Sequence, residues 1–192
     1  MDFCREGGKM RLEDFKKVYF SKFKRVYENG GDRWHVKALC YCRYKVLNEP
    51  YEVVASKPAV AIGQLVHYAV ERLSQYEART FEKNVGKYTV YGTPDLYDGD
   101  VVEVKFTRFV PKEPRPHDVL QLRLYLWLLG LERGYLWYLS PDDWVEFEVK
   151  GSVSDEDVIE LIERPKYPMW SWECKHCSLK DNCPYRKIEK FI

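Results

Sequence analysis

Apolar and charged positions alternate most regularly where Val102, Val104 and Phe106 interleave with Glu103 and Lys105. That period of two predicts a strand over 101–107 with one apolar and one charged face. Strands are also predicted over 86–92, 94–97, 134–140 and 144–150, the last two turned by Pro141-Asp142-Asp143. Helices are predicted over 11–28, 33–47, 61–79, 117–130 and 154–163. Gly30-Gly31 ends the first of these, Pro50 and Pro58 punctuate the loop after the second, and Ser154 or Asp155 caps the last. In the third, Ile62, Leu65, Val66, Ala69, Val70 and Leu73 supply a core face, while Gly63, His67 and Glu71 recur every four residues along another. The 117–130 helix is strongly apolar yet carries Gln121, which needs a hydrogen-bond partner there, with Tyr125 one turn on. Helix, hairpin strands, helix and strands in that order predict an α/β chain: a mixed sheet flanked by helices.

Asp95 precedes the Asp98-Gly99-Asp100 turn and Glu103-Val104-Lys105 follows it, so hairpin register decides whether these side chains meet. A two-residue turn would pair Asp95 with Val102 and send Glu103 to the opposite face. A three-residue loop over Asp98 to Asp100 pairs Asp95 with Glu103, their Cβ atoms about 4.5–5.5 Å apart. We expect the odd-length loop. Two carboxylates that close repel, and a bound cation relieves the repulsion.

The 192 residues suffice for one domain with an appendage, and 45% hydrophobic content with a net charge of +1 marks an ordinary globular chain. Near-neutrality leaves room for a local basic groove. Lys16, Lys17, Lys22, Lys24 and Arg25 form a basic side on the first helix, either a solvated face or a contact to a DNA backbone. Lys112 and Arg115 lie in a proline-marked loop that could pass near substrate. No apolar stretch of membrane-spanning length occurs, and Met1 to Glu6 lack the apolar region of a signal peptide, so a cytoplasmic protein is expected. Sparse Asn and Gln with abundant Glu, Lys and Arg lean toward a thermophilic source.

In such a compartment thiols are more often metal ligands than disulfides. Cys174-x-x-Cys177 followed by Cys183-Pro184 is a specific metal-binding spacing that lacks a fourth ligand. Cys42, Cys40, Cys4 and His176 are the candidates, and spacing alone fits zinc or an iron–sulfur cluster equally. The expected organisation is an N-terminal helical segment over 1–60 that contributes a cluster cysteine, a core over 61–165 and a cysteine-rich segment over 166–192.

Taken together, these residues resemble the RecB-like nucleases of the PD-(D/E)xK superfamily. The resemblance is closer still to the CRISPR-associated iron–sulfur exonuclease family. It spans about 33–186 and rests on Cys42-Arg43-Tyr44-Lys45, Gly63-x3-His67-x3-Glu71, Gly92-Thr93-Pro94-Asp95, Glu103-Val104-Lys105, Gln121-x3-Tyr125 and the three C-terminal cysteines, in that order. The family's first cysteine is usually followed by Pro-Arg; here Arg43 follows Cys42 directly and Cys40 lies two residues earlier, so Cys40 competes with Cys42.

The resemblance implies that His67, Asp95, Glu103 and the Val104 carbonyl hold Mn²⁺ or Mg²⁺. By the same likeness Lys105 is the catalytic lysine beside Asp95 and Glu103, and Gln121 and Tyr125 orient substrate. Cys42, Cys174, Cys177 and Cys183 would bind an iron–sulfur cluster, 4Fe–4S favoured over 2Fe–2S. The implied activity is a single-strand DNA exonuclease with endonuclease activity as an addition, trimming DNA for CRISPR spacer acquisition beside integrase complex proteins. Lys105 could hold a water, neutralise the phosphate or, with a lowered pKa beside a metal, act as a base. The competing readings are a RecB-like repair nuclease outside CRISPR and a non-catalytic, zinc-stapled nucleic-acid-binding module whose charged hairpin faces solvent.

Overall fold

The computed structural model describes residues 12–23, 29–49, 57–76 and 78–186. Helix α1 (Leu12–Phe23) is followed by strand β1 (Arg33–His35), the short helices α2 (Val36–Leu39) and α3 (Arg43–Asn48), and the longer α4 (Pro58–Leu73). Strands β2 (Phe81–Val85) and β3 (Tyr88–Gly92) form one hairpin; β4 (Leu96–Asp98) and β5 (Asp100–Phe106) form a second. Helix α5 (Pro116–Leu129), strands β6 (Arg133–Leu139) and β7 (Trp144–Lys150) and helix α6 (Asp155–Glu163) follow. The tail holds α7 (Glu173–His176) and a 3-10 turn at Lys180–Asn182.

The strands make two mixed sheets flanked by helices, in the orders β1-β3-β2 and β4-β5-β6-β7. Strand β1 runs parallel to β3, and β5 parallel to β6; the remaining pairs are antiparallel. A parallel pair needs a crossover connection, and α5 provides it between β5 and β6. Leu122, Leu124, Tyr125 and Leu126 of that helix are fully buried, as expected of a helix apolar on most sides. Pro116 opens α5 and Gly130, at φ +69°, closes it with its N–H on the Leu126 carbonyl. The core gathers Trp34, Val36, Leu39, Val90, Val101, Leu136, Tyr138 and Val158 around this helix. A capping box between Ser154 and Asp157 starts α6.

The helix expected over 33–47 is instead a strand and two short helices. Arg33–His35 pair with Thr89–Tyr91, and the helical path breaks where the Cys42 N–H donates to Glu173 Oε1 at 2.7 Å. The expected helical segment over 1–60 therefore contains a sheet strand, and α4 already begins within it. Pro58, expected in a loop, occupies the first turn of α4, where its missing N–H costs nothing. Helix α4 ends at Leu73, short of the expected Arg79, because Gln75 turns the chain at φ +54°. Its apolar face is not core: none of its residues is buried, and Leu73 is 85% exposed. Strand β2 was not expected at all. Among the described residues no helix is long and apolar enough to cross a membrane.

Candidate active site

The second hairpin pairs Leu96 with Val102, Tyr97 with Val101 and Asp98 with Asp100. Extending this register one residue sets Asp95 opposite Glu103, on the same face, as the odd-length loop requires. The turn is tighter than expected, with Asp98 and Asp100 paired around Gly99 at φ +83°.

Asp95 is held from two sides. Its Oδ1 lies 2.8 Å from His67 Nδ1 of α4, and its Oδ2 accepts from the Val104 N–H at 2.8 Å. Burial alone would raise its pKa, but the charge and hydrogen bond of His67 outweigh burial and bring it to about 2. Glu103 is wholly buried; its Oε1 accepts from Lys105 Nζ at 2.8 Å and from Gln121 Nε2 at 2.7 Å. Its Oε2 is buried with no hydrogen-bond partner. Burial first, then the neighbouring Asp95 charge, raise the Glu103 pKa against the pull of Lys105.

Lys105 Nζ also donates to Gln121 Oε1 at 2.8 Å and lies 3.5 Å from Asp118 Oδ1. Burial would lower its pKa, yet Glu103, Tyr41, Asp118 and Asp95 together hold it well above the ordinary lysine value. The surrounding acceptors thus favour the charged form of the amine. Gln121 and Tyr125, expected to orient substrate, are fully buried and orient the protein's own groups. Gln121 bridges Lys105 and Glu103, and Tyr125 donates to the Thr93 carbonyl at 2.9 Å, just ahead of Pro94-Asp95.

Three contributors were not singled out from sequence. Asp118, in the first turn of α5, receives the Tyr138 hydroxyl of β6 at 2.7 Å and completes the acceptors around Lys105. Its place three residues before Gln121, on the same helix face, was the available signal. Tyr41 is close enough to Lys105 to raise the pKa of its amine. Lys37 lowers the pKa of both Asp95 and Glu103 and so brings positive charge to the site from α2; no spacing pointed to it.

Elsewhere, Cys42, Cys174, Cys177 and Cys183 line one small pocket together with Tyr44, Lys45, Pro168, Glu173, Lys180 and Tyr185. Burial pushes the Cys42 thiol up, N–H groups of Lys45 and Tyr44 pull it down, and Glu173 and Cys183 raise it again. Cys40 points elsewhere, its buried thiol donating to the Val36 carbonyl, while its pKa is raised by burial beside Lys105 and Glu103. His176 does not line the cysteine pocket, and Cys4 lies outside the described residues. Among the described residues no three His, Cys, Asp or Glu side chains already stand in a metal-holding group. The donor sets nonetheless suit metals: four thiols around one pocket, and a buried carboxylate oxygen with nothing bound to it. Of the basic side of α1, Lys16 pairs with Glu13 at 2.7 Å, while Lys24 and Arg25 lie outside the described residues.

No family profile matches the chain. A curated relative, the CRISPR-associated exonuclease Cas4 of Saccharolobus solfataricus, is 29% identical over 167 residues, covering 76% of this chain and 83% of the relative. The crystal structure of SSO0001 matches at a TM-score of 0.77 and 26% identity, covering 93% of this chain and 99% of that one. The resemblance read from the motifs is thus borne out along most of the chain.

Proposed function

We propose that this chain is a divalent-metal-dependent deoxyribonuclease of the PD-(D/E)xK superfamily, a single-strand DNA exonuclease with additional endonuclease activity. Its role is to process DNA for CRISPR spacer acquisition beside the integrase complex proteins. The observation that carries the reading is Glu103: a fully buried carboxylate next to Asp95, with one oxygen bridged to Lys105 and the other unpaired. A buried carboxylate oxygen without a partner is costly, and a cation is the partner this one lacks. The curated relative's name supports the nuclease and its CRISPR setting. A hairpin whose charges merely faced solvent would not bury Glu103, so the non-catalytic module is disfavoured.

Asp95, Glu103, His67 and the Val104 carbonyl would hold the cation; oxygen donors suit Mg²⁺ and the imidazole tilts the set toward Mn²⁺. A cation held by these residues would supply a water of lowered pKa and charge relief at the phosphate. His67 keeps Asp95 ionised at any working pH. Lys105 remains a cation, fixed by Gln121 and Asp118, and offers its charge to the phosphate as negative charge builds in the transition state. Gln121 also fixes the Glu103 carboxylate, leaving Oε2 for the metal. Cys42, Cys174, Cys177 and Cys183 would hold the iron–sulfur cluster and tie the α3 segment to the tail.

The test is cleavage of end-labelled single-stranded DNA by anaerobically purified protein. Degradation should appear with Mn²⁺ or Mg²⁺ and vanish with chelator. Cleavage that persists after complete removal of divalent cations would overturn the reading.

A further inference from the structure

Rings lead outward from Lys105. Asp118 Oδ1, 3.5 Å from Lys105 Nζ, lies 3.6 Å from His117 Nε2. The His117 ring stands 5.0 Å from Trp172, 6.1 Å from Trp170 and 6.1 Å from Tyr41. Tyr41 and Trp172 meet edge-on at 6.5 Å, and Trp172 meets His176 at 6.5 Å. Tyr41 is itself close enough to feel the charges of Lys105, Asp118 and Glu103. These aromatic groups therefore run without a break from the catalytic ammonium to the surface.

The outer end of this series is held firmly. Glu173, buried beside Trp172, accepts from the Cys42 N–H at 2.7 Å and the Trp170 N–H at 2.8 Å. Trp170 Nε1–H donates to the Cys40 carbonyl at 2.8 Å. Trp172 itself is 37% exposed, and among the described residues Tyr41, His117 and His176 meet its ring tilted or edge-on. A partly exposed indole on a hydrogen-bonded turn, one histidine away from the Lys105 and Asp118 pair, has the exposure and the position to stack an unpaired base. Lys105 Nζ, reached from this ring through Asp118 and His117, supplies the positive charge that the neighbouring phosphate would face.

We propose that Trp172, backed by His117 and Tyr41, is a nucleobase-stacking subsite that grips an unpaired base of the DNA strand next to the reacting phosphate. The inference rests on the nuclease reading for what happens to the strand, but the stacking itself needs no chemistry. Base stacking is non-ionic and indifferent to base identity, whereas continuously paired duplex offers no free base face.

The test measures binding of a fluorescently labelled oligothymidylate by anisotropy, on the full, anaerobically purified chain in chelator, where no cleavage can occur. Trp172→Ala should weaken binding about tenfold and Trp172→Phe should restore most of it. The dependence of affinity on salt should keep the same slope, since no ion pair is lost. A relaxed, covalently closed duplex circle, which has no loops or ends, should bind Trp172→Ala and the wild type alike. Unchanged affinity in Trp172→Ala, a Phe variant as weak as the Ala variant, or no oligothymidylate binding by the wild type would each overturn the subsite. A wild type that binds in this Trp172-dependent way but cuts nothing when Mn²⁺ is added would overturn the nuclease reading and leave the subsite standing. Cleavage with Trp172-independent binding would do the reverse.

Discussion

At Asp95 and Lys105 the surroundings decide charge state, and each result departs from what burial alone would give. Burial raises a carboxyl pKa, yet His67 draws Asp95 down from 3.8 to about 2. The folded pKa lies below the unfolded one, so Asp95 contributes stability that is fully present above the unfolded value and lost as pH falls through the folded value. Acid unfolding of the metal-free protein should accordingly show stability on the order of 2 kcal/mol lost between about pH 4 and pH 2. Asp95→Asn should be less stable at neutral pH and lose less stability over that interval than wild type; an unchanged acid profile would show that the His67 contact contributes nothing. Lys105 departs in the other direction, held as a cation by Glu103, Tyr41, Asp118 and Asp95.

Among the secondary-structure elements, the α5 helix shows how far local pattern reaches. Its span, its Gly130 stop and the need of Gln121 for a partner were all legible from residues within one stretch. So was the register of the β4–β5 hairpin, because only an odd count puts Asp95 and Glu103 on one face. What was not legible depends on distant residues. The helix expected over 33–47 fails because β1 finds β3 and because Cys42 N–H is taken by Glu173. Asp118 gains its meaning only when Tyr138 arrives from β6. The apolar face of α4 resembles a core face in sequence but packs only partly. Gly92 is another place where elements meet: a Cβ there would lie 2.7 Å from Tyr125 Cε1 and 2.9 Å from Val36 Cγ2. Gly92→Ala should therefore cost about 1–3 kcal/mol in chemical denaturation, by pushing α5 and α2 off the end of β3. A variant as stable as wild type would show that these contacts relax freely.

Across the whole molecule, the turn between α2 and α3 converges with the cysteine-rich tail segment. Cys42 after β1 and α2 meets Cys174, Cys177 and Cys183 of the tail in one pocket, while Glu173 and Trp170 bind the same N-terminal turn. An iron–sulfur cluster there would clamp the aromatic series beside the active site, joining metal content to substrate grip. Cys42→Ser should lose bound iron and the cluster's visible absorption in anaerobic preparations, and Cys40→Ser should keep both. Iron retained by Cys42→Ser and lost by Cys40→Ser would reverse the assignment. In the proposed reaction Lys105 would act on the phosphate in the transition state and not on the strand's affinity. Single-turnover cleavage of end-labelled single-stranded DNA by Lys105→Ala, with binding measured in parallel, examines that role. Cleavage at least about a hundredfold slower with unchanged affinity is the expected result. Cleavage at the wild-type rate would contradict it.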